Sequence, residues 1–300
     1  DEHPKDQIDQ EEIYNNADNI YKNAVASLYN YIGSNQESEG LQGTCRGIYD
    51  YNTLTTDEAM NPIRGGDWYD GGLWQNLFHH AWGTKNDLLK GSWDYLYKVI
   101  AQTNASLDKL NSILKEDPNN KVIPPYIAEV RAFRAMYYYY LLDMFARVPI
   151  VTSSKVELKD VEQSERSAVF NFVKKELEET VEQLSDAHSN LSGEYYGRMT
   201  KPVAYLLLAK IALNSEIYAD DNWTDGTKID GKTIKFTVDG EEKNAWEATI
   251  AYCDKITALG YKLEPKFASN FSTTNENSVE NIFTIPMDRN LYKNEFYYLI

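Results

Sequence analysis

RAFRAMYYYYLLDMFARVP, residues 131–149, sets four tyrosines side by side at Tyr137 to Tyr140, within a stretch whose spacing otherwise reads as helix. At about 100° per residue, four consecutive helical positions sweep most of the way round the axis, so no single buried stripe can hold all four rings. The helix must therefore meet protein on several sides. Tyrosine suits such a place, because its ring buries like an apolar group while the hydroxyl reaches a partner or water at the margin. A helix clasped by neighbours is ordinary in stacked helical arrays, so the four rings are expected to be scaffold rather than ligand contacts.

Helical spacing recurs on both sides of this stretch. Ile13 to Ile32 carries apolar residues three and four apart, with Gly33 as a stop, and Trp93 to Leu114 does the same before Asp117-Pro118. The tyrosine helix itself is predicted over Ile127 to Phe145, closed by Val148-Pro149. Ser167 is predicted to cap Ala168 to Leu184, and Pro202 sits where the first turn of a helix from Lys201 to Tyr218 tolerates it. TIKFTV followed by Asp239-Gly240 reads as a hairpin, Trp246 to Leu259 as a final helix ended by Gly260, and Asn281 to Ile285 as a short extended piece. From Gly40 to Gly83 the texture changes to glycine, aromatic and acidic residues and reads as a long irregular segment, in which Trp68, Tyr69, Trp74 and Trp82 argue against disorder.

The 300 residues, 42% of them hydrophobic, suffice for a large core. A formal net charge of −16 repels polyphosphates and anionic lipid headgroups, which argues against nucleic-acid binding. The 23 tyrosines and six tryptophans imply an aromatic core, rings shown to a ligand, or both. Two cysteines, Cys45 and Cys253, do not make a disulfide framework, and their redox state is left open. No apolar run approaches the roughly 18 residues of a membrane span. The polar stretch over residues 1–12 reads as a solvated tether, and the apolar end at Ile300 suggests that the domain continues.

Ala168 with Phe172, and Ala248 with Tyr252, have the Ala-to-aromatic spacing that interlocks neighbouring tetratricopeptide units, although inserted loops break the period of about 34 residues. Three stretches then carry a resemblance. AEVRAFRAMYYYYLLDMFARVPIVT (residues 128–152), GRMTKPVAYLLLAKIALNSEIY (197–218) and ENIFTIPMD (280–288) resemble, in that order, signature regions of the SusD/RagB family of outer-membrane nutrient-binding lipoproteins of Bacteroidetes; TLTTDEAM (53–60) is similar as well.

The resemblance implies a mostly α fold, with tetratricopeptide-like helix pairs over residues 127–260, long irregular loops and small β-hairpin insertions. It implies a single domain over residues 1–300 that lacks its C-terminal part, since family members are longer. It further implies a surface-exposed, lipid-anchored protein of the outer membrane that captures oligosaccharide or polysaccharide and passes it to a TonB-dependent, SusC-like transporter. The lipidated N-terminal cysteine is absent, as expected of a chain that begins after it.

The chemistry falls in PIRGGDWYDGGLWQ, residues 62–75, within the aromatic-rich segment 40–83. Sugars present apolar C–H faces rimmed by hydroxyls, so a protein that holds them needs flat rings together with carboxylate and guanidinium groups. Arg64, Asp67, Trp68, Tyr69, Asp70 and Trp74 supply those groups, and in the family the loop after the TDE stretch commonly makes such contacts. Tyr292, Tyr297 and Tyr298, with Phe296, form a second candidate cluster after the IFTIP stretch. Against this, Gly65-Gly66 and Gly71-Gly72 could serve only tight turns, and Trp74 or Trp82 could be core anchors.

A glycosidase reading would use Asp57 and Glu58, or Asp67 and Asp70, as paired carboxylates. On a glycine-rich loop these are expected to be hydrogen-bond acceptors instead, so no catalytic residue is assigned. His79-His80 has no metal-ligand spacing with His3 or His188, and neither a serine elbow nor a phosphate-cradling loop is present, so no metal or cofactor is expected. A third reading, a protein-recruiting helical scaffold, leaves the Trp-rich loop unexplained.

Overall fold

The computed structural model describes residues 16–34, 36, 38–41, 46–288 and 290. The proposed tether at residues 1–12, Cys45, and Tyr292, Phe296, Tyr297 and Tyr298 lie outside the described residues. In chain order the helices are α1 (Ala17–Ala24), α2 (Ile48–Leu54), α3 (Leu73–Phe78), α4 (Asp87–Glu116), α5 (Ile123–Phe145), α6 (Arg166–Thr180), α7 (Lys201–Leu213), α8 (Ser215–Tyr218) and α9 (Ala245–Ala258). A hairpin of β1 (Lys235–Val238) and β2 (Glu241–Asn244) precedes α9. The chain divides into two compact units, Asp1–Leu28 with Val99–Thr284, and Tyr29–Lys98 with Ile285–Ile300. No described helix is long and apolar enough to cross a membrane.

In the larger unit α5 is buried on almost every side. Its first turn carries Pro124 and Pro125, where a helix leaves N–H groups unpaired in any case, so it starts ahead of the predicted Ile127. Asn120 Oδ1 accepts from the backbone N–H of Val122 at 2.9 Å and of Ile123 at 3.2 Å, which holds that start. The four tyrosines then go in different directions. Tyr137 packs on Phe133 of its own helix at 5.1 Å. Tyr138 meets Phe172 of α6 edge-on at 4.9 Å, accepts from Val151 N at 2.7 Å and donates to Val151 O at 3.0 Å. Tyr139 lies 5.1 Å from the Lys210 ammonium of α7 and edge-on to Tyr140 at 5.4 Å. Burial pushes the Tyr138 and Tyr140 hydroxyls up to about 12, so both stay neutral near pH 7.

Packing α5 against α6 also buries charge. Arg134, on the face of α5 turned to α6, donates to Glu176 Oε2 at 2.8 Å, to Asn104 Oδ1 at 2.7 Å and to Thr152 O at 3.1 Å. Arg131, about one turn earlier, reaches the other oxygen of Glu176 at 2.6 Å and Glu179 Oε2 at 2.5 Å. Burial alone would raise the Glu176 carboxyl, but the two guanidinium groups outweigh it and hold the group below its ordinary value.

The other helix pair is α7 with α9. Tyr252 stacks on Tyr205 at 6.0 Å, and Ala248 beneath it is buried, as the repeat spacing predicts. The equivalent pair on α6 does not behave so. Its buried stripe is Val169, Phe170, Val173, Glu176 and Leu177, which turns Ala168 to solvent and leaves Phe172 half-buried. Its cap also differs, with Glu165 at the N-cap, while Ser167 Oγ donates to Asp221 Oδ2 at 2.6 Å. Helix α7 ends at Leu213, and Ser215–Tyr218 forms a separate turn rather than a continuation. The hairpin turns at Asp239 (φ 56°) and Gly240 (φ 79°), and Asn244 caps α9 in a reciprocal box with Glu247. Gly231 ahead of it leaves no room for a Cβ, which would fall 2.5 Å from the Trp246 ring. Asn281 to Ile285 pairs with no strand among the described residues.

In the smaller unit Ile48, Tyr51, Trp74, Leu77 and Leu96 are buried together with Ile32 and Leu41. The segment Gly40 to Gly83 is therefore not wholly irregular, since α2 and α3 form within it. Six or seven residues between glycines are too few to establish a helical period.

Glu176→Leu should leave Arg134 buried and short of a charge partner, and should destabilise the fold by about 3–5 kcal/mol in urea unfolding. Adding Arg134→Leu should recover part of that loss. Because the folded-state carboxyl is depressed, its contribution is fully present above the ordinary value of 4.5 and is lost as pH falls through the lower folded value. Below pH 4.5 the stability gap between wild type and the double variant should therefore narrow.

Candidate functional site

The segment from Asn61 to Trp82 is a chain of tight turns fastened at a few points. Arg64 and Asp67 exchange backbone hydrogen bonds of 3.1 and 3.0 Å, with Gly65 and Gly66 at the tip. Gly65 sits at φ 66°, a conformation glycine adopts without steric cost. Asp67 Oδ1 then accepts from Trp68 N at 3.0 Å. Trp68 and Asp70 themselves have positive φ, at 61° and 42°, which is uncommon for a bulky side chain and is found where surrounding contacts impose it.

Those contacts centre on Asp70. Its Oδ2 accepts from the Trp74 indole Nε1 at 2.7 Å and from Arg46 at 3.0 Å. The Arg46 guanidinium also lies 5.6 Å from the Trp74 ring. The indole hydrogen bond first, and then Arg46, hold the Asp70 carboxyl below the usual range, against burial, which acts the other way. Gly71 and Gly72, both left-handed, turn the chain straight into α3, and Gly72 N donates to Tyr69 O at 2.6 Å. Gln75 Nε2 reaches Asn61 O at 3.2 Å and closes the loop on itself.

The candidate residues are thus placed unequally. Trp74 is 1% exposed and anchors the segment in the core of the smaller unit. Trp68 is half-buried against it, with ring centroids 5.8 Å apart and planes tilted by 58°. Asp70 is occupied by Trp74 and Arg46. Tyr69 is 54% exposed, and the exposed side chain of Arg64 has no hydrogen bond or ion pair to another described residue. Asp67 is exposed, with one oxygen bonded to the backbone. Tyr292, Tyr297 and Tyr298 lie outside the described residues.

Outside residues 62–75, Arg46 belongs to this arrangement and Trp82 adds exposed aromatic surface later in the same segment. Trp82 is 39% exposed and packs on His80 at 5.2 Å, and His80 Nε2 bonds Thr55 O at 2.6 Å. Arg46, brought in from before α2, carries no sequence signal. Trp82 was legible as an aromatic, and only its outward setting was not. Tyr69, Trp82 and the edge of Trp68 offer aromatic surface, while Arg64 and Asp67 offer a donor and an acceptor. This mixture suits a neutral ligand with apolar faces and a hydroxyl rim.

Residues 8–213 match a family profile named SusD-like and described as "Starch-binding associating with outer membrane". A curated relative, the starch-binding protein SusD of Bacteroides thetaiotaomicron, is 22% identical over 249 residues, covering 82% of this chain and 38% of its own length. Among solved structures, a SusD superfamily protein from Bacteroides vulgatus superposes with a TM-score of 0.67 at 20% identity, over 91% of this chain and 50% of that one. Surface glycan-binding protein A from B. thetaiotaomicron, in complex with laminarihexaose, gives 0.66 at 19% identity, over 90% of this chain and 49% of that one. The chain therefore spans half or less of the length of these relatives.

Asp70→Ala should leave the buried Trp74 N–H without its acceptor, at a cost of about 1–3 kcal/mol in thermal or urea unfolding. Asp67→Ala removes a contact to an exposed N–H and should change stability by about 0.5 kcal/mol or less.

Proposed function

The chain belongs to the SusD-like family, and on that premise we propose that it captures oligosaccharide or polysaccharide at the outer membrane surface and passes it to a SusC-like, TonB-dependent transporter. The observation that carries this reading is the contrast within one short segment. Trp74 is sunk into the core and hydrogen-bonded, while Tyr69 and Trp82, like Arg64 and Asp67, stay exposed in the same segment. Fixing the backbone through buried groups lets the open rings meet a sugar face with little further ordering, which lowers the entropic cost of binding.

The reading is of binding without hydrolysis. Asp70 is held ionised by Trp74 and Arg46, which suits an anchoring acceptor and not a general acid. Stacking on a few rings is individually weak, so an extended glycan should bind in the micromolar to millimolar range, about −4 to −8 kcal/mol. Such affinity favours release to a transporter. A lipid anchor preceding this sequence, and the C-terminal aromatic cluster Tyr292, Tyr297 and Tyr298, belong to the same proposal.

Affinity electrophoresis against starch, laminarin and other plant, host and microbial polysaccharides should show retardation by at least one of them. Tyr69→Ala combined with Trp82→Ala should weaken the retardation by about tenfold, while unfolding midpoints stay within a few degrees of wild type. Unchanged retardation in the double variant would place the site elsewhere. Shorter products after prolonged incubation, seen by chromatography, would overturn binding without hydrolysis.

A further inference from the structure

A cavity of about 570 Å³ opens within the larger unit, among residues that the turn at 61–82 does not supply. Its floor is the Arg198–Glu129 ion pair, and Arg198 also pairs with Glu194 at 3.5 Å. Arg198 donates from Nε to Glu129 Oε1 at 3.1 Å and from Nη2 to Glu129 Oε2 at 2.7 Å, with both side chains largely buried. Three tyrosines from three separate stretches gather on that pair. The rings of Tyr21, on α1, and Tyr195, before α7, each lie 4.4 Å from the Arg198 guanidinium. Tyr126, in the first turns of α5, packs on Tyr21 at 5.1 Å, and the Tyr21 hydroxyl donates to Glu129 at 3.2 Å.

The ion pair and the cation–π contacts hold the three stretches together, and direct packing could do that with no open volume. The volume present falls in the range of small-ligand sites, about 300–1,000 Å³. Its lining also restricts the occupant. Asp18, Glu129 and Glu194 outnumber Lys22 and Arg198, which disfavours an anion, and the near-even mix of polar and apolar surface disfavours a lipid tail. What remains is both donors and acceptors, Lys22 and Gln183 against Asp18 and Glu194, around half-buried phenol rings. Neutral polyhydroxylated rings use both kinds of polar group and a flat apolar face.

We infer that this cavity is a second carbohydrate site, taking one or two sugar residues against Tyr126. The choice of ligand class rests on the glycan reading above, but the site uses none of the same side chains.

The test is titration calorimetry of the whole chain with maltohexaose, laminarihexaose and cellohexaose. The proteins compared are wild type, Tyr69→Ala/Trp82→Ala, and that double variant with Tyr126→Ala or Tyr126→Phe added. The double variant should retain binding of at least one hexasaccharide. Tyr126→Ala should weaken that residual binding by about tenfold, and Tyr126→Phe, which keeps the ring, by much less. Loss of all binding in the double variant would overturn the second site and leave the glycan reading standing. Residual binding indifferent to Tyr126→Ala would also overturn it. Wild-type affinity in the double variant that Tyr126→Ala abolishes would support the cavity and overturn the role given to the turn. No binding of any hexasaccharide by wild type would overturn both.

Discussion

A helix buried on nearly all faces has to find partners in other segments for the polar atoms it carries, and α5 does so along its length, with the buried Nε of Arg134 left as an exception among the described residues. Its charged and hydroxyl groups are answered by Glu176 and Glu179 on α6, Arg198 before α7, and the backbone of Val151 and Thr152 after its own end. Leaving one of these groups unanswered in the interior costs more than the satisfied pair contributes. The surrounding helices are therefore held in one arrangement as much by polar pairing as by apolar area. The cavity over Arg198 and Glu129 belongs to the same network, since the pair that forms its floor reaches α5 through Glu129.

The smaller unit uses the same logic at the scale of one residue. Trp74 is large enough to anchor a segment by burial alone, but its indole N–H needs an acceptor, and Asp70 supplies it from four residues earlier. Satisfying that bond puts Asp70 in a left-handed conformation, beside two left-handed glycines, with Trp68 left-handed just before it. Those φ values are costly on their own and persist because the buried indole and Arg46 over-determine them. The open positions of Tyr69 and Trp82 follow from where the chain is then obliged to run.

The helical frame was readable in the sequence wherever one segment carried its own signal. The four tyrosines announced a helix touched on several sides, Asp239-Gly240 a hairpin, and Pro202 a helix start. Where the deciding partner came from elsewhere, the reading failed or stayed open. The tyrosine helix was expected from Ile127, and it starts at Ile123 with Pro124 and Pro125 in a first turn held by Asn120. Ala168 and Phe172 had the right spacing but lie off the stripe that Val169, Val173 and Leu177 bury. Trp74 and Trp82 are alike as letters. Trp74 is buried with its N–H answered by Asp70, whereas Trp82 is 39% exposed, and no local pattern separates them. The cavity over Arg198 was invisible for the same reason, since Tyr21, Tyr126 and Tyr195 are joined by no local pattern.

The central claim is that a backbone pinned through Trp74 and Asp70 presents aromatic surface to carbohydrate from residues 61–82. Amide hydrogen exchange, with and without a saturating concentration of a retarding polysaccharide, tests it most directly, because ordering by a ligand slows exchange where contact is made. Slowed exchange across residues 61–82 is the expected result. Unchanged exchange there, with slowing confined to other segments, would contradict it.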